Sequence, residues 1–158
     1  PLGHWISLQP PANLPSELPR NRLVNVMKVK AFGRILLGLA LSFAGIGHLT
    51  FSREEFQAQV PSWLPLDADF VVVASGIVEI SLGLALIFLV KYQRQIGAAT
   101  AIFFVLIFPG NISQYVNGID AFGLDSDQAR LTRLFFQPLL VLWALWSTSA
   151  LQLLKIKR

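Results

Sequence analysis

One carboxyl group lies in the middle of a long apolar segment of this chain. Glu79 is the single charged residue between residues 70 and 90, where almost every neighbour is apolar. A carboxylate at the centre of a membrane helix costs about 2.5 to 3.5 kcal/mol on insertion scales, and such residues usually serve a function and have a partner. A carboxyl group can hydrogen-bond a bound molecule or exchange a proton with it.

Further polar residues could act together with Glu79 as ligand-binding groups. They are His48, Asn111, Tyr115, Arg133 and Gln137. Arg133 and Gln137 are four residues apart and therefore share one face of a helix. We expect His48 and Glu79 to hydrogen-bond or exchange protons with the head group of a ligand. The amides of Asn111 and Gln137 would orient this head group, and the positive charge of Arg133 would influence its charge state.

Membrane-length helices must position these residues. The chain has 158 residues, is 54% hydrophobic and only 14% charged, and has a mean hydropathy of +0.57. Spanning the hydrocarbon core takes about 20 apolar residues as helix. Four segments meet this need, near residues 31–50, 68–90, 96–116 and 134–154. We therefore predict an all-α protein, in which a four-transmembrane-helix up-down bundle forms a membrane domain over residues 31–158.

The positive charges predict how this bundle is oriented. Most of them flank one side of the predicted spans, namely Arg20, Arg22, Lys28, Lys30, Arg34, Lys91, Arg94, Lys155, Lys157 and Arg158. The two loops on the other side hold Arg53, Arg130 and Arg133 among many acids. By the positive-inside rule both termini are cytoplasmic. The protein is then a multi-pass protein of the plasma or inner membrane, in contact with lipid.

Two segments outside the spans have patterns of their own. Residues 1–30 begin with a proline-rich stretch that cannot form a packed core, and we predict a disordered cytoplasmic tail there. Whether the residues before Met27 are native is open. In the first outer loop, Ser52 and Glu55 have the spacing of a capping box and predict a short interfacial helix. Trp63, between two prolines, is predicted to be an interface anchor, with part of a lid as the second interpretation.

Small residues accompany the polar ones. Gly38, Gly45 and His48 fall on one stripe of the first span, and Gly76, Glu79 and Gly83 on one stripe of the second. Small residues let membrane helices approach closely, so these stripes should face the interior of the bundle. With the predicted topology, the polar groups of all four spans lie in the outer half of the membrane.

Several classes of site are excluded or disfavoured. The chain has no cysteine, which excludes disulfides and cysteine-ligated metals. A single internal histidine gives no metal-triad spacing, and no metal site is predicted. The basic residues are distributed by membrane side and form no patch that could bind a groove of DNA or RNA, so no nucleic acid partner is expected.

Two interpretations of the polar cluster remain open. The residues could form a site for a quinone, another small amphipathic ligand or a proton. They could instead be hydrogen bonds that lock a small bundle, each with a modest worth of about 0.6 kcal/mol on average. The second interpretation predicts a non-catalytic scaffold or assembly factor. A stand-alone isomerase ranks below both, because it needs two opposed acid/base groups and Glu79 is the only acid in the interior of the predicted spans.

Four short motifs resemble the DoxX-like family of four-helix membrane proteins. They are the runs at residues 44–48, 60–65, 75–83 and 108–112, in order and at suitable spacing within a region from Gly33 to Trp146. Arg133 and Gln137 match an arginine and glutamine at the start of the last helix of that family. The family has a proline between the two, whereas here Phe135 stands there and proline follows as Pro138.

The resemblance implies an association with membrane redox systems. The namesake of that family is a small subunit associated with thiosulfate:quinone oxidoreduction. On this basis the protein is expected to be a subunit or accessory of a redox complex rather than a stand-alone enzyme. Its cofactor would be a non-covalently bound quinone and its partners redox-complex subunits. The sequence does not decide whether the chain forms a homo-oligomer.

Overall fold

The computed structural model describes residues 20–157, and every regular element in that range is helical. The α-helices are α1 (Arg20–Leu49), α2 (Arg53–Ala58), α3 (Ala68–Phe88), α4 (Gln93–Val116) and α5 (Asp127–Ser147). Two 3₁₀ segments, Val90–Tyr92 and Ala150–Lys157, follow α3 and α5. The prediction of an all-α protein is therefore confirmed.

Helix α1 begins earlier than predicted. It starts at Arg20, so residues 20–30, which were assigned to the tail, are helical. This segment contains neither proline nor glycine, and nothing in it interrupts the ladder of backbone hydrogen bonds. The rest of the predicted tail, residues 1–19, lies outside the described residues.

Within residues 20–157, three helices are long and apolar enough to cross a membrane: residues 22–49, 68–88 and 90–116. The predicted fourth span at 134–154 differs from the observed helix. Helix α5 begins at Asp127 and ends at Ser147, so its first half includes polar residues and its apolar stretch is shortened. Ser149 has a positive φ of 57°, a left-handed conformation that ends α-helices.

The loop preceding α3 contains the short helix that was predicted, but without the predicted capping box. Ser52 makes no side-chain hydrogen bond at the start of α2. The Glu55 carboxylate, the other half of the proposed box, instead accepts a hydrogen bond from the Phe122 N–H at 3.0 Å. Glu55 thus connects α2 to the loop that precedes α5.

Helices α1 and α3 are antiparallel and approach closely at two glycine pairs. A Cβ atom on Gly45 would lie 2.6 Å from the Gly76 carbonyl oxygen, and one on Gly38 would lie 2.7 Å from that of Gly83. Both distances are below van der Waals contact, so only glycine fits there. The prediction that these stripes allow close helix approach is confirmed.

The four long helices pack as two close pairs. Helix α1 packs closely on α3 and α4 on α5, while α3 and α4 touch only lightly. Buried apolar side chains form a core between the pairs, which contains Leu37, Leu41, Leu86, Ala101, Phe104 and Ala144. Three of them, Leu37, Leu41 and Phe104, also border the cavity of the candidate site.

Candidate functional site

A cavity of about 490 Å³ lies among the long helices and the segment that follows α2. Along α1 it is lined by Leu37, Leu41, Ala44 and His48, which fall on one stripe because their spacings are close to whole helical turns. Leu37 and His48 are eleven residues apart, so this wall is about 16 Å long at 1.5 Å per residue. The cavity is elongated, with an apolar end near Leu37 and a polar end near His48.

The contacts of His48 at the polar end favour one tautomer. Its Nδ1 lies 2.8 Å from the Ser75 hydroxyl oxygen and 3.3 Å from the Val72 carbonyl oxygen. The Ser75 hydroxyl donates to the same carbonyl at 2.9 Å, and a carbonyl oxygen can only accept, so these contacts favour a proton on Nδ1 in the neutral ring. The ring also packs on Phe56, with 3.4 Å between ring centroids. Nε2 is therefore left as an acceptor.

Glu79 lines the cavity, and its side chain is incompletely satisfied. The residue is only 5% exposed, and within residues 20–157 its Oε2 atom has no hydrogen-bond partner. The distance from Oε2 to His48 Nε2 is 3.5 Å, which is longer than a good hydrogen bond. Buried polar atoms are nearly always bonded to protein or to water. Oε2 is itself buried, so a molecule in the cavity would reach it only after a shift of the Glu79 side chain.

Asn111 and Gln137 satisfy each other across α4 and α5. The Asn111 side-chain amide donates to Gln137 Oε1 at 3.0 Å, and the Gln137 amide donates to the Phe104 carbonyl oxygen at 2.7 Å. Phe104 precedes Val105, whose carbonyl lacks its usual helical donor because Pro109 has no N–H. The pair braces α4 beside its proline, and both residues also line the cavity.

Arg133 lines the same cavity and has no carboxylate partner within residues 20–157. Its Nη2 donates to Gln59 Oε1 at 3.2 Å, and its guanidinium lies over the Phe122 ring, 4.9 Å from the centroid. Gln59 in turn donates to Gln114 Oε1 at 2.7 Å. A network of neutral groups thus holds the Arg133 side chain in place.

The structure brings together most of the predicted site residues and separates one. His48, Glu79, Asn111, Arg133 and Gln137 all line the cavity. Tyr115 does not, and its side chain is partly buried elsewhere. At that level of α4 the hydrogen bond between Gln59 and Gln114 closes the bundle, so Tyr115 lies beyond the end of the cavity.

Sequence reasoning missed several lining residues. Ser75 is one turn before Glu79 on the same face of α3, and this spacing could have identified it. Gln59 is in a loop without periodicity and carries no comparable signal. Trp63, predicted to be an interface anchor, is 68% exposed and also lines the cavity.

The described residues contain no group of three or more histidine, aspartate or glutamate side chains that could hold a metal ion. The polar end of the cavity is instead suited to hydrogen bonding. It offers an acceptor on His48 Nε2, the unpartnered Glu79 Oε2 and the remaining N–H groups of Arg133.

Residues 37–148 match the model of a family described as a domain of unknown function, DUF8561, and the chain belongs to this family. The matched region includes every residue of the polar end of the cavity. No curated protein and no solved structure matches the chain.

The resemblance to the DoxX-like family is wrong, because the family match is to DUF8561. The motifs that carried it are short runs of small and aliphatic residues around one or two polar positions. Such runs recur in unrelated membrane helices, where glycine, alanine and leucine make up much of every sequence. Four of them in order are therefore weaker evidence than in a soluble protein.

Proposed function

We propose that this chain is an integral membrane protein whose cavity binds a small amphipathic ligand in the outer half of the bundle. The observation that carries the proposal is the elongated cavity itself, with the unpartnered Oε2 of Glu79 at its polar end. A polar cluster that only locked the helices together would be packed and mutually satisfied. Here the polar side chains line a cavity of about 490 Å³, and one of their oxygen atoms has no partner among the described residues.

Four membrane spans are part of this proposal, with α5 as the fourth. One face of α5 carries exposed apolar side chains at helical spacing: Phe135, Leu139, Leu142 and Trp146. A protein of this size that leaves so many large apolar side chains exposed needs an apolar surrounding. The basic residues beside the start of α1, the end of α3 and the start of α4 would then be cytoplasmic, as would both termini.

Ligand size and entry follow from the dimensions and the rim of the cavity. A volume of about 490 Å³ lies within the range of roughly 300 to 1,000 Å³ for small-molecule sites. Trp63, Leu106 and Phe136 line the cavity and are more than half exposed. Because these rim side chains are apolar, the proposed ligand enters from the lipid phase rather than from water.

The polar end would act on the head group by hydrogen bonding. The tautomer of His48 leaves Nε2 as an acceptor, and Glu79 lies beside it with Oε2 free. A hydroxyl or amine on the ligand could donate to Nε2, or to Oε2 once a shift of the Glu79 side chain exposes that atom. A quinone is one member of the proposed ligand class, since its carbonyl oxygens could accept from Arg133. Redox-complex partners were implied by the DoxX resemblance and are not part of the proposal.

A structural role is the second candidate, and one observation favours it. Asn111 and Gln137 bond each other and the Phe104 carbonyl, which braces α4 beside Pro109 whether or not a ligand binds. If the cluster were only structural, however, no amphipathic molecule would bind in the cavity, and filling the cavity would not change how such a molecule interacts with the protein.

Filling the cavity therefore tests the proposed function. Ala44 lines it on α1, and Ala44→Phe would place a ring in the space without removing a polar group. Ala99→Phe makes the same change at an exposed site on α4 and serves as the control. The probe is a terminally brominated undecanol added to protein in phosphatidylcholine nanodiscs. Bromine quenches tryptophan fluorescence, and Trp143 lines the cavity.

We expect saturable quenching in the parent and in Ala99→Phe, and its loss in Ala44→Phe. The contribution of Trp143 is obtained by subtracting the quenching of a Trp143→Phe variant, which removes the signal of the other tryptophans. Quenching by probe dissolved in the lipid is recognised because it does not saturate. Equal quenching in all three proteins, or none that saturates, would contradict the proposed function.

A further inference from the structure

We propose that the ligand carries an anionic head group, a carboxylate or a phosphate, which Arg133 binds, and a single apolar chain that runs toward Leu37. This inference rests on the proposed function and names the class of molecule that the cavity takes: single-chain acidic lipids. It follows from the distribution of charge at the polar end of the bundle.

Two of the three arginines at this end are already paired with carboxylates. Arg53 binds Asp69 through two hydrogen bonds of 2.6 and 2.5 Å, and this contact raises the pKa of the Arg53 guanidinium. Arg130 binds Asp120 at 2.6 Å and Asp127 at 2.7 Å. Neither arginine lines the cavity, and their charges are balanced within the protein.

Arg133 is the exception. It lines the cavity, yet within residues 20–157 its recorded partners are a neutral amide and an aromatic ring. A guanidinium has five N–H donors in a fixed planar arrangement that matches carboxylate and phosphate oxygens. The single hydrogen bond to Gln59 leaves most of these donors free.

The contacts of Arg133 also hold it ready for a ligand. Stacking on Phe122 orients the plane of the guanidinium, and Gln59 fixes one edge of it. A side chain that is ordered before binding loses less entropy when the ligand arrives. Arg133 lines the cavity together with Trp63, which is 68% exposed at the rim.

Glu79 does not neutralise this cation. The ion pairs of the described residues include Glu79 only with His48, at 3.5 Å, and do not join it to Arg133. A negative charge on Glu79 would repel an anion in the cavity. We therefore expect its removal to preserve or increase any preference for an anionic head, while removal of Arg133 abolishes the preference.

The α1 side of the cavity bounds the length of the ligand. From Leu37 to His48 it is about 16 Å long, which corresponds to an extended molecule of roughly twelve chain atoms, head group included, given carbon–carbon bonds near 1.5 Å. Leu37, Leu41, Phe104 and Leu140 line this part of the cavity. A single chain fits the elongated volume.

The test compares head groups on one chain. Brominated undecanoate and brominated undecanol are titrated into the protein in phosphatidylcholine nanodiscs, with quenching of Trp143 as the readout. Hydrogen bonds between two charged groups are stronger than those to a neutral group, so we expect the carboxylate to bind about tenfold more tightly or better. Arg133→Gln should bring the two affinities together, mainly by weakening the carboxylate, and Arg133→Lys should retain part of the preference.

Matched variants and competitors complete the experiment. Arg53→Gln removes a cation at the same end that is outside the cavity and should leave the preference unchanged, whereas Glu79→Gln should preserve or raise it. Unlabelled dodecanoate and dodecyl phosphate, used as competitors, show whether a carboxylate or a phosphate is favoured. Dodecylamine should compete no better than dodecanol.

The outcomes separate this inference from the proposed function. If the alcohol binds saturably but the acid binds no more tightly, or if Arg133→Gln keeps the full preference, the anionic class is wrong and the cavity still binds an amphiphile. If neither probe binds saturably, the proposed function itself fails. Equal loss of preference in Arg53→Gln would assign the effect to overall charge and overturn the role of Arg133.

Discussion

At the residue scale, Glu79 and Gln137 are both buried polar side chains of the cavity, yet their surroundings differ. Gln137 donates to a backbone carbonyl and accepts from Asn111, whereas Oε2 of Glu79 has no partner within the described part of the chain. An unsatisfied buried polar group costs free energy that its removal recovers, and a satisfied one stabilises its neighbours. The two residues should therefore respond in opposite ways to the same substitution.

We expect Glu79→Leu to raise the stability of the ligand-free protein by about 1 to 3 kcal/mol, the cost of an unsatisfied buried group. Gln137→Leu should lower it by a similar amount, because Asn111 and the Phe104 carbonyl lose their partner. The measurement is thermal unfolding of both variants and the parent in the same detergent. If Glu79→Leu is as destabilising as Gln137→Leu, Glu79 is a structural residue, and this result would support the scaffold interpretation.

At the scale of the elements, the sequence predicted the helices that a continuous apolar segment or a glycine stripe marks. The apolar segments around α3 and α4 and the glycine stripes were readable, because a helix of small and aliphatic residues has few other ways to pack in lipid. The start of α1 and both ends of α5 were missed. Residues 20–30 follow a proline-rich stretch and were assigned to the same disordered tail for that reason. The left-handed conformation of Ser149 could not be predicted, because a serine side chain does not favour it.

In the candidate site, the residues that lie in apolar helices could be predicted from the sequence, whereas those in loops could not. His48, Glu79, Asn111 and Gln137 stood out as polar residues in apolar helices. Tyr115 was misplaced because depth along a helix does not reveal where a loop closes the bundle, and Gln59, which closes it, lies outside any periodic pattern. Tertiary contacts of loops are the part of a site that local sequence constrains least.

Whether α5 crosses the membrane can be tested directly, since the chain has no cysteine. Single cysteines at Asp125, before α5, and at Gln152, after it, would lie on opposite sides of a spanning helix. With a membrane-impermeant maleimide on intact cells, we expect Asp125→Cys to react and Gln152→Cys to react only after permeabilisation. Glu54→Cys and Arg94→Cys, which flank α3, calibrate the two sides.

Labelling of Asp125→Cys and Gln152→Cys from the same side would show that α5 does not span. The cavity would then be bounded by three spans and one peripheral helix. The proposed entry from lipid would have to be reconsidered, because Phe136 on its rim belongs to α5.

At the scale of the whole molecule, two helix pairs enclose a space that their side chains do not fill. The glycine contacts of α1 and α3 and the braced α4 and α5 make each pair rigid, and the light contact between α3 and α4 leaves room between them. Protein interiors normally pack without voids of this size. A membrane protein can maintain such a space if a lipid-like molecule occupies it.

The most direct test is a crystal structure, in a lipidic mesophase, of the protein purified from its membrane without added ligand. We predict elongated density along the wall from Leu37 to His48, with its polar end within hydrogen-bond distance of Arg133 or Glu79. A cavity that has collapsed, with the side chains of Leu41, Phe104 and Leu140 in mutual contact and Glu79 bonded to His48 or Asn111, would contradict the proposed function.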